Sequence, residues 1–218
     1  EELRNKNAEL DNFVHRVSHD LIAPLRSIKG LVSITKNEET EQGRNECFDL
    51  IEASVNKQEH FIKSILEHSV NFNQNVNSEP IYLKKICDEI FAELSHFEES
   101  QSINFICDFK DDFVFQSDPD RVKIVLSNLV NNAIKYHNLD QDNPSISLTA
   151  SKKSGTVILE IKDNGRGIEK EKLPDIFNMF YRVSYDSNGT GLGLYIVRDA
   201  MKKMNGAISV ASEINKGS

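Results

Sequence analysis

The sequence predicts an α+β protein: an N-terminal helical hairpin (residues 1–73), a linker (74–80) and an α/β sandwich (81–218). Three observations carry that division. Before residue 73 the apolar residues recur at spacings of three, four and seven, the period of an amphipathic helix. The same stretch holds only Pro24, Gly30 and Gly43 as potential breakers. After residue 80, helical periods alternate with short β-branched segments of period two, the pattern of helices layered on a mixed sheet.

Leu3, Leu10, Val14, Val17, Leu21, Leu25, Ile28 and Leu31 make the first helical stripe, and Phe48, Ile51, Val55, Ile62, Leu66 and Val70 the second. The polar run from Asn37 to Gly43 ends in a helix-breaking glycine and joins them as an antiparallel hairpin. Two helices bury only part of such broad stripes. Pairing two hairpins into a four-helix bundle buries the rest, so a homodimer is expected; packing of the hairpin on the second region is the alternative. Further on, residues 82–99, Pro119–His137 and Leu192–Met204 read as helices. Ile103–Phe109, Phe113–Gln116, Ser145–Ser151, Thr156–Lys162 and Ala207–Ala211 read as strands, the third and fourth joined across Lys153-Ser154-Gly155.

The net charge of -8, from 34 acidic against 26 basic residues, argues against a nucleic-acid or anionic-membrane surface, which needs clustered Lys and Arg. No apolar run is long enough to span a bilayer, and no signal peptide opens the chain. Glu1 in place of an initiator Met is expected of a fragment of a longer protein, membrane-anchored or soluble. Cys47, Cys87 and Cys107 lack metal-ligand spacing and read as reduced thiols of a cytoplasmic protein.

At about 100° per residue, Val14, Val17, Leu21 and Ile28 cluster around the direction of Leu10, and His19 falls opposite them. A histidine of the core belongs on the apolar stripe; this one faces solvent. Ser18-His19-Asp20-Leu21-Ile22-Ala23-Pro24-Leu25 resembles the phosphoacceptor box of sensor histidine kinases. The chemistry suits the resemblance. A neutral imidazole is a nucleophile near pH 7, and an adjacent carboxylate such as Asp20 can hold one ring proton and leave the other nitrogen free. Pro24 removes an intrahelical hydrogen bond one turn beyond. His15 is the nearest competitor, without an acid beside it.

No G-x-x-x-x-G-K-[ST] string occurs, which excludes a P-loop. Asn128-Leu129-Val130-Asn131-Asn132-Ala133-Ile134-Lys135-Tyr136 resembles the N-box helix shared by histidine kinases and gyrase- and chaperone-type ATPases. Asp163-Asn164-Gly165-Arg166-Gly167 resembles the first glycine box, Ile176–Arg182 the F-box, and Gly189-Thr190-Gly191-Leu192-Gly193-Leu194 the second glycine box. Asn128 with Asn132, and Asn132 with Lys135, share one helix face. Glycines at a helix start let backbone N–H groups approach phosphate oxygens.

The resemblance covers essentially the whole chain and implies a Bergerat-type ATP-binding domain with ATP and Mg²⁺ as cofactors. It implies that Asn132 offers its amide oxygen to Mg²⁺, that Asn128 and Lys135 line the phosphates, and that Tyr136 flanks the base. Asp163 would accept from the adenine amino group. Gly165, Gly167, Gly189, Thr190, Gly191, Leu192 and Gly193 would shape the pocket under a lid at roughly 183–190. Arg182 would reach the γ-phosphate or stand as an unengaged surface arginine. The implied activity is transfer of the γ-phosphoryl group of ATP to His19 and then to an aspartate of a response regulator receiver domain. A gyrase- or chaperone-like ATPase shares the pocket but has no use for Ser18-His19-Asp20; a scaffold with an inactive pocket is the non-enzymatic alternative. Ile22 and Ala23 depart from the Arg and the Thr or Asn common in the family, and Ala23 predicts weak phosphatase activity.

Overall fold

The computed structural model describes residues 2–73, 75–94, 102–110, 112–138, 143–183 and 190–218, with backbone alone at 2–12, 60 and 67–73. The chain divides into two compact units, Glu1–Leu66 and Glu67–Ser218.

In the first unit, α1 (Glu2–Thr35) runs through Pro24 and α2 begins at Glu41 and extends to Asn73. Residues withdrawn from solvent follow one stripe on each helix: Phe13, Val17, Leu21, Pro24, Ile28 and Leu31 on α1, and Cys47, Ile51, Ser54, Gln58, Phe61 and Ile65 on α2. The turn between them is held locally. Arg44 Nη1 donates to the Glu38 carbonyl at 3.0 Å and the Glu39 carbonyl at 3.2 Å, and Thr40 Oγ1 accepts from the Gly43 N–H at 3.1 Å, as an N-cap does. Gly43 therefore lies inside the first turn of α2 rather than ending the connection. A Cβ there would meet the Glu38 side chain, whose flexible end can move aside.

In the second unit, β1 (Glu79–Tyr82) pairs antiparallel with β3 (Val114–Ser117), while β2 (Asn104–Asp108) runs parallel to β4 (Ser145–Lys153), which pairs antiparallel with β5 (Thr156–Asp163). The helices are α3 (Leu83–Leu94), α4 (Pro119–Lys135) and α5 (Gly193–Lys203). One core joins Leu83, Ile86 and Ile90 of α3, Val122, Leu126 and Val130 of α4, and Ile146 and Leu148 of β4. On its other side α4 sets Val125 against Val197 and Ala200 of α5. Held between two layers, α4 presents its third face, that of Asn128 and Asn132, at the start of α5.

Two strand expectations change. Glu79 and Pro80 belong to β1 instead of a linker; proline is tolerated there because a strand of a two-stranded sheet keeps an unpaired edge. Ala207–Ala211 forms no ladder, because no described strand lies beside it to supply hydrogen bonds.

Candidate active site

His19 is exposed on α1, with its side chain 73% accessible, and its Nδ1 lies 3.0 Å from Asp20 Oδ1. With a proton on Nδ1 donated to Asp20, the Nε2 lone pair is left free toward solvent. Ser18 Oγ donates to the Val14 carbonyl at 2.7 Å, so that hydroxyl is already engaged.

In the second unit two clusters form around the C-terminal half of α4. In the first, a Cβ on Gly193 would stand 2.8 Å from Asn128 Oδ1 and 3.9 Å from Asn132 Nδ2, so the missing side chain lets α5 begin against both amides. Asn128 Nδ2 donates to the Ile124 carbonyl at 2.9 Å, which orients that amide. No side chain caps α5; the Leu192 N–H is satisfied by Thr190 Oγ1 at 3.2 Å. Leu192 is fully buried, so it anchors the start of α5 to the core. A helix start without a side-chain cap is a place where backbone N–H groups can receive an anion. Gly191, at φ +69°, approaches the Phe180 backbone too closely for any side chain, and the Phe180 N–H donates to the Gly191 carbonyl at 2.9 Å. Phe180 itself adopts φ +63°, a rare conformation for a bulky residue and a frequent mark of functional sites. This contact ties the F-box segment to the second glycine box. Gly189 and most of the lid expected at 183–190 lie outside the described residues.

The second cluster centres on Asp163, at the end of β5. Its Oδ1 accepts from the Gly165 N–H at 2.8 Å, and its own N–H donates to the Ser218 carbonyl at 2.9 Å. Burial pushes the Asp163 carboxyl above its ordinary range, against the opposing pull of the Gly165 and Ser218 backbone N–H groups. The Tyr136 carbonyl accepts from the Arg166 N–H at 3.1 Å, joining the end of α4 to the first glycine box. Tyr136 is 40% exposed, and the Lys135 ammonium lies 5.1 Å from its ring centroid. Gly167, at φ +69°, passes so close to the Glu213 carbonyl that a Cβ would collide with it. Arg182 is exposed at the end of the F-box segment.

This geometry fits a nucleotide with its metal. Amides and glycines meet at the start of α5, where an anion would find backbone donors, and the half-buried Asp163 carboxyl would offer an acceptor to a base. A cation held here by an amide oxygen and by phosphate oxygens would have the hard oxygen ligands that suit Mg²⁺.

Residues 117–218 match the family of histidine kinase-, DNA gyrase B- and HSP90-like ATPases, an ATP-binding domain. Over 99% of its length the chain is 32% identical to the methanogenesis regulatory histidine kinase FilI of Methanothrix harundinacea, covering 24% of that protein. It is 26% identical over 99% of its length to the sensor histidine kinase GraS of Staphylococcus epidermidis, covering 60% of it. The chain carries a sensor histidine kinase catalytic core. The fold agrees: Acinetobacter baumannii histidine kinase AdeS superposes with a TM-score of 0.69 at 21% identity, over 91% of this chain and 93% of that one. Histidine kinase ThkA, in its complex with response regulator protein TrrA, superposes with a TM-score of 0.71 at 23% identity, over 93% of this chain and 57% of that one. None of the described helices of the kinase core is long and apolar enough to cross a membrane.

Sequence reasoning missed two groups in this kinase core. His137 is 4% exposed beside Asp163, and neither ring nitrogen has a hydrogen-bond partner; burial pushes its imidazole below the ordinary range. No periodicity marks it, because it follows the end of α4. Asp118 and Arg121 form a buried ion pair. Asp118 caps α4 by accepting from the Arg121 N–H at 3.0 Å and also accepts from the Asn77 N–H at 2.9 Å. Burial pushes its carboxyl up, but these hydrogen bonds and the guanidinium outweigh it and hold it below the usual range. Asp118-Pro119 was a legible signal: an N-cap followed by proline at the first helical position.

Proposed function

We propose that this core transfers the γ-phosphoryl group of Mg²⁺-ATP to His19 and then to an aspartate of a response regulator receiver domain, as a cytoplasmic homodimer. The observation that carries the reading is the exposed His19–Asp20 pair on the same chain as an ATP-binding domain. An ATPase that merely cycles in conformation has no use for that pair. We divide the chain as residues 1–73 for dimerisation and phosphotransfer, 74–78 as the connection and, with β1 included, 79–218 for nucleotide binding.

Asp20 holds the Nδ1 proton, so Nε2 attacks the γ-phosphorus in line with the departing ADP oxygen. Phosphoryl transfer demands positioning and charge neutralisation more than covalent help from the protein. Asn128, Lys135 and the backbone N–H groups of Gly191 and Gly193 hold the phosphates, with Thr190 holding the Leu192 N–H and so fixing the turn. Asp163 accepts from the adenine amino group in a pocket shaped by Gly165 and Gly167, and Tyr136 flanks the base. Asn132 would hold Mg²⁺, which supplies neutralisation of the phosphate charge when bound. Gly189 and Arg182 would complete the site from the lid.

The dimer reading rests on apolar residues left exposed along both helices. Val14, Leu25 and Val32 on α1, and Phe48, Val55, Ile62 and Leu66 on α2, are each 40–59% exposed. Their spacings of four, seven and eleven put each set on one line beside the half-buried stripe. Two such hairpins bury these lines in a four-helix bundle.

Incubating the chain with γ-labelled ATP tests the activity. The expected product is a protein-bound label that is lost in acid and stable in base, as phosphohistidine is. Turnover of ATP without bound label would favour the conformational ATPase instead.

A further inference from the structure

The thiols of Cys87 and Cys107 lie side by side across α3 and β2, close enough for one to donate to the other. Cys87 is 2% exposed, whereas Cys107 is half-buried on β2, an edge of its sheet. A second contact fixes the same register. Phe91, one helical turn after Cys87, and Phe105, two residues before Cys107, pack their rings at 4.9 Å between centroids. Cys87 also lines a small apolar cavity with Phe91, Ile146 and Leu148, and Leu148 is the ladder partner of Cys107. That void leaves the Cys87 side chain room to adjust, and a disulfide would need the two sulfurs at roughly 2.05 Å.

We propose that Cys87 and Cys107 form a thiol–disulfide site, closed by a peroxide and reopened by a thiol reductant, that staples α3 to β2. The two cysteines divide the work. The hydrogen bond donated by Cys87 pulls the Cys107 thiol down to about 7, while the same bond, then burial, push Cys87 up. Cys107 is therefore the thiolate and Cys87 the proton-bearing resolving thiol. The Cys107 thiolate attacks one peroxide oxygen, the O–O bond breaks, and a sulfenic acid forms as hydroxide leaves and is protonated to water. The Cys87 sulfur then attacks the Cys107 sulfur, the S–O bond breaks, and water departs with the Cys87 proton. In sum, two thiols are oxidised to one disulfide and one hydrogen peroxide is reduced to two waters.

The test uses the full chain carrying Cys47→Ser, which removes the third thiol, treated with hydrogen peroxide. The expected product has lost the mass of two hydrogen atoms and both free thiols, and yields a linked Cys87–Cys107 peptide that dithiothreitol separates. Closing a loop of this length raises Tm by roughly 5–10 °C. A further Cys107→Ser change, at the half-buried position, abolishes both the mass loss and the Tm shift. The proposal is overturned if Cys107 instead gains two oxygen atoms with Cys87 still reduced, if bridges form only between molecules, or if both thiols persist.

Discussion

The two units dispose of their apolar residues in opposite ways. In Glu67–Ser218, Ile81, Leu83, Leu126, Leu192, Ile196 and Val197 are all at most 1% exposed, because α4 has packed layers on two sides. In Glu1–Leu66, Leu25, Phe48 and Leu66 remain 55%, 57% and 59% exposed. A helix in a hairpin has one neighbour, which covers part of a broad apolar stripe and leaves the rest. The polar chemistry divides along the same line. His19 of the hairpin stands in solvent on the far side of the stripe, while the Asp163 carboxyl of the second unit is half-buried. The ATP-binding unit thus has a core of its own, whereas the hairpin leaves apolar surface that the proposed dimer would cover.

That comparison is broken or sharpened by variants confined to one unit. The largest effect is expected from His19→Gln: label incorporation falls below detection while ATP affinity, measured by calorimetry, stays unchanged. Retained label in that variant would move the acceptor to His15 or elsewhere. Next comes the exposed line of the hairpin. Leu25→Glu or Val55→Glu places a charge where the second hairpin docks and weakens the dimer by roughly 10²–10³-fold, read by analytical ultracentrifugation. A dimer of unchanged affinity would mean that another surface pairs.

Within the second unit, Asp118→Ala leaves the Arg121 guanidinium buried without its carboxylate and α4 without its cap. We expect a loss of about 3–4 kcal/mol in denaturant unfolding of the ATP-binding unit, with the hairpin unaffected. Because hydrogen bonding depresses the Asp118 carboxyl, its contribution is present above the ordinary carboxylate value and disappears as pH falls through the depressed one. The smallest effect is at Asp163. Asp163→Asn should weaken ATP binding by roughly 10- to 100-fold at neutral pH, with or without Mg²⁺. The unaltered protein should lose ATP affinity as pH drops through the raised Asp163 value, whereas the Asn variant stays flat. The stability sign is opposite to that of Asp118. A buried carboxyl with a raised pKa favours the fold below its unfolded value and loses that contribution as pH rises through the raised one, so Asp163→Asn gains stability relative to the parent at neutral pH. Equal pH profiles for both proteins would separate Asp163 from the base-binding role.

The sequence by itself determined the helical hairpin, the order of the elements from α3 to α5 and the local motifs. Period 3.6 and period two are properties of consecutive residues, and an Asn pair four apart shares a helix face wherever the helix lies. It also placed His19 opposite the apolar stripe, since that needs only the angle per residue. What neighbours decide was not legible. Glu79–Tyr82 became a strand because Val114–Ser117 lies beside it, and Ala207–Ala211 formed no ladder because no described strand does. The same holds at the site. Gly193 against Asn128, Asp163 beside the end of α4 with His137, and Cys87 against Cys107 join residues tens of positions apart. Only tertiary structure decides such pairings, because contact, burial and the pKa shifts that follow depend on which surfaces meet in space, and no local period records that.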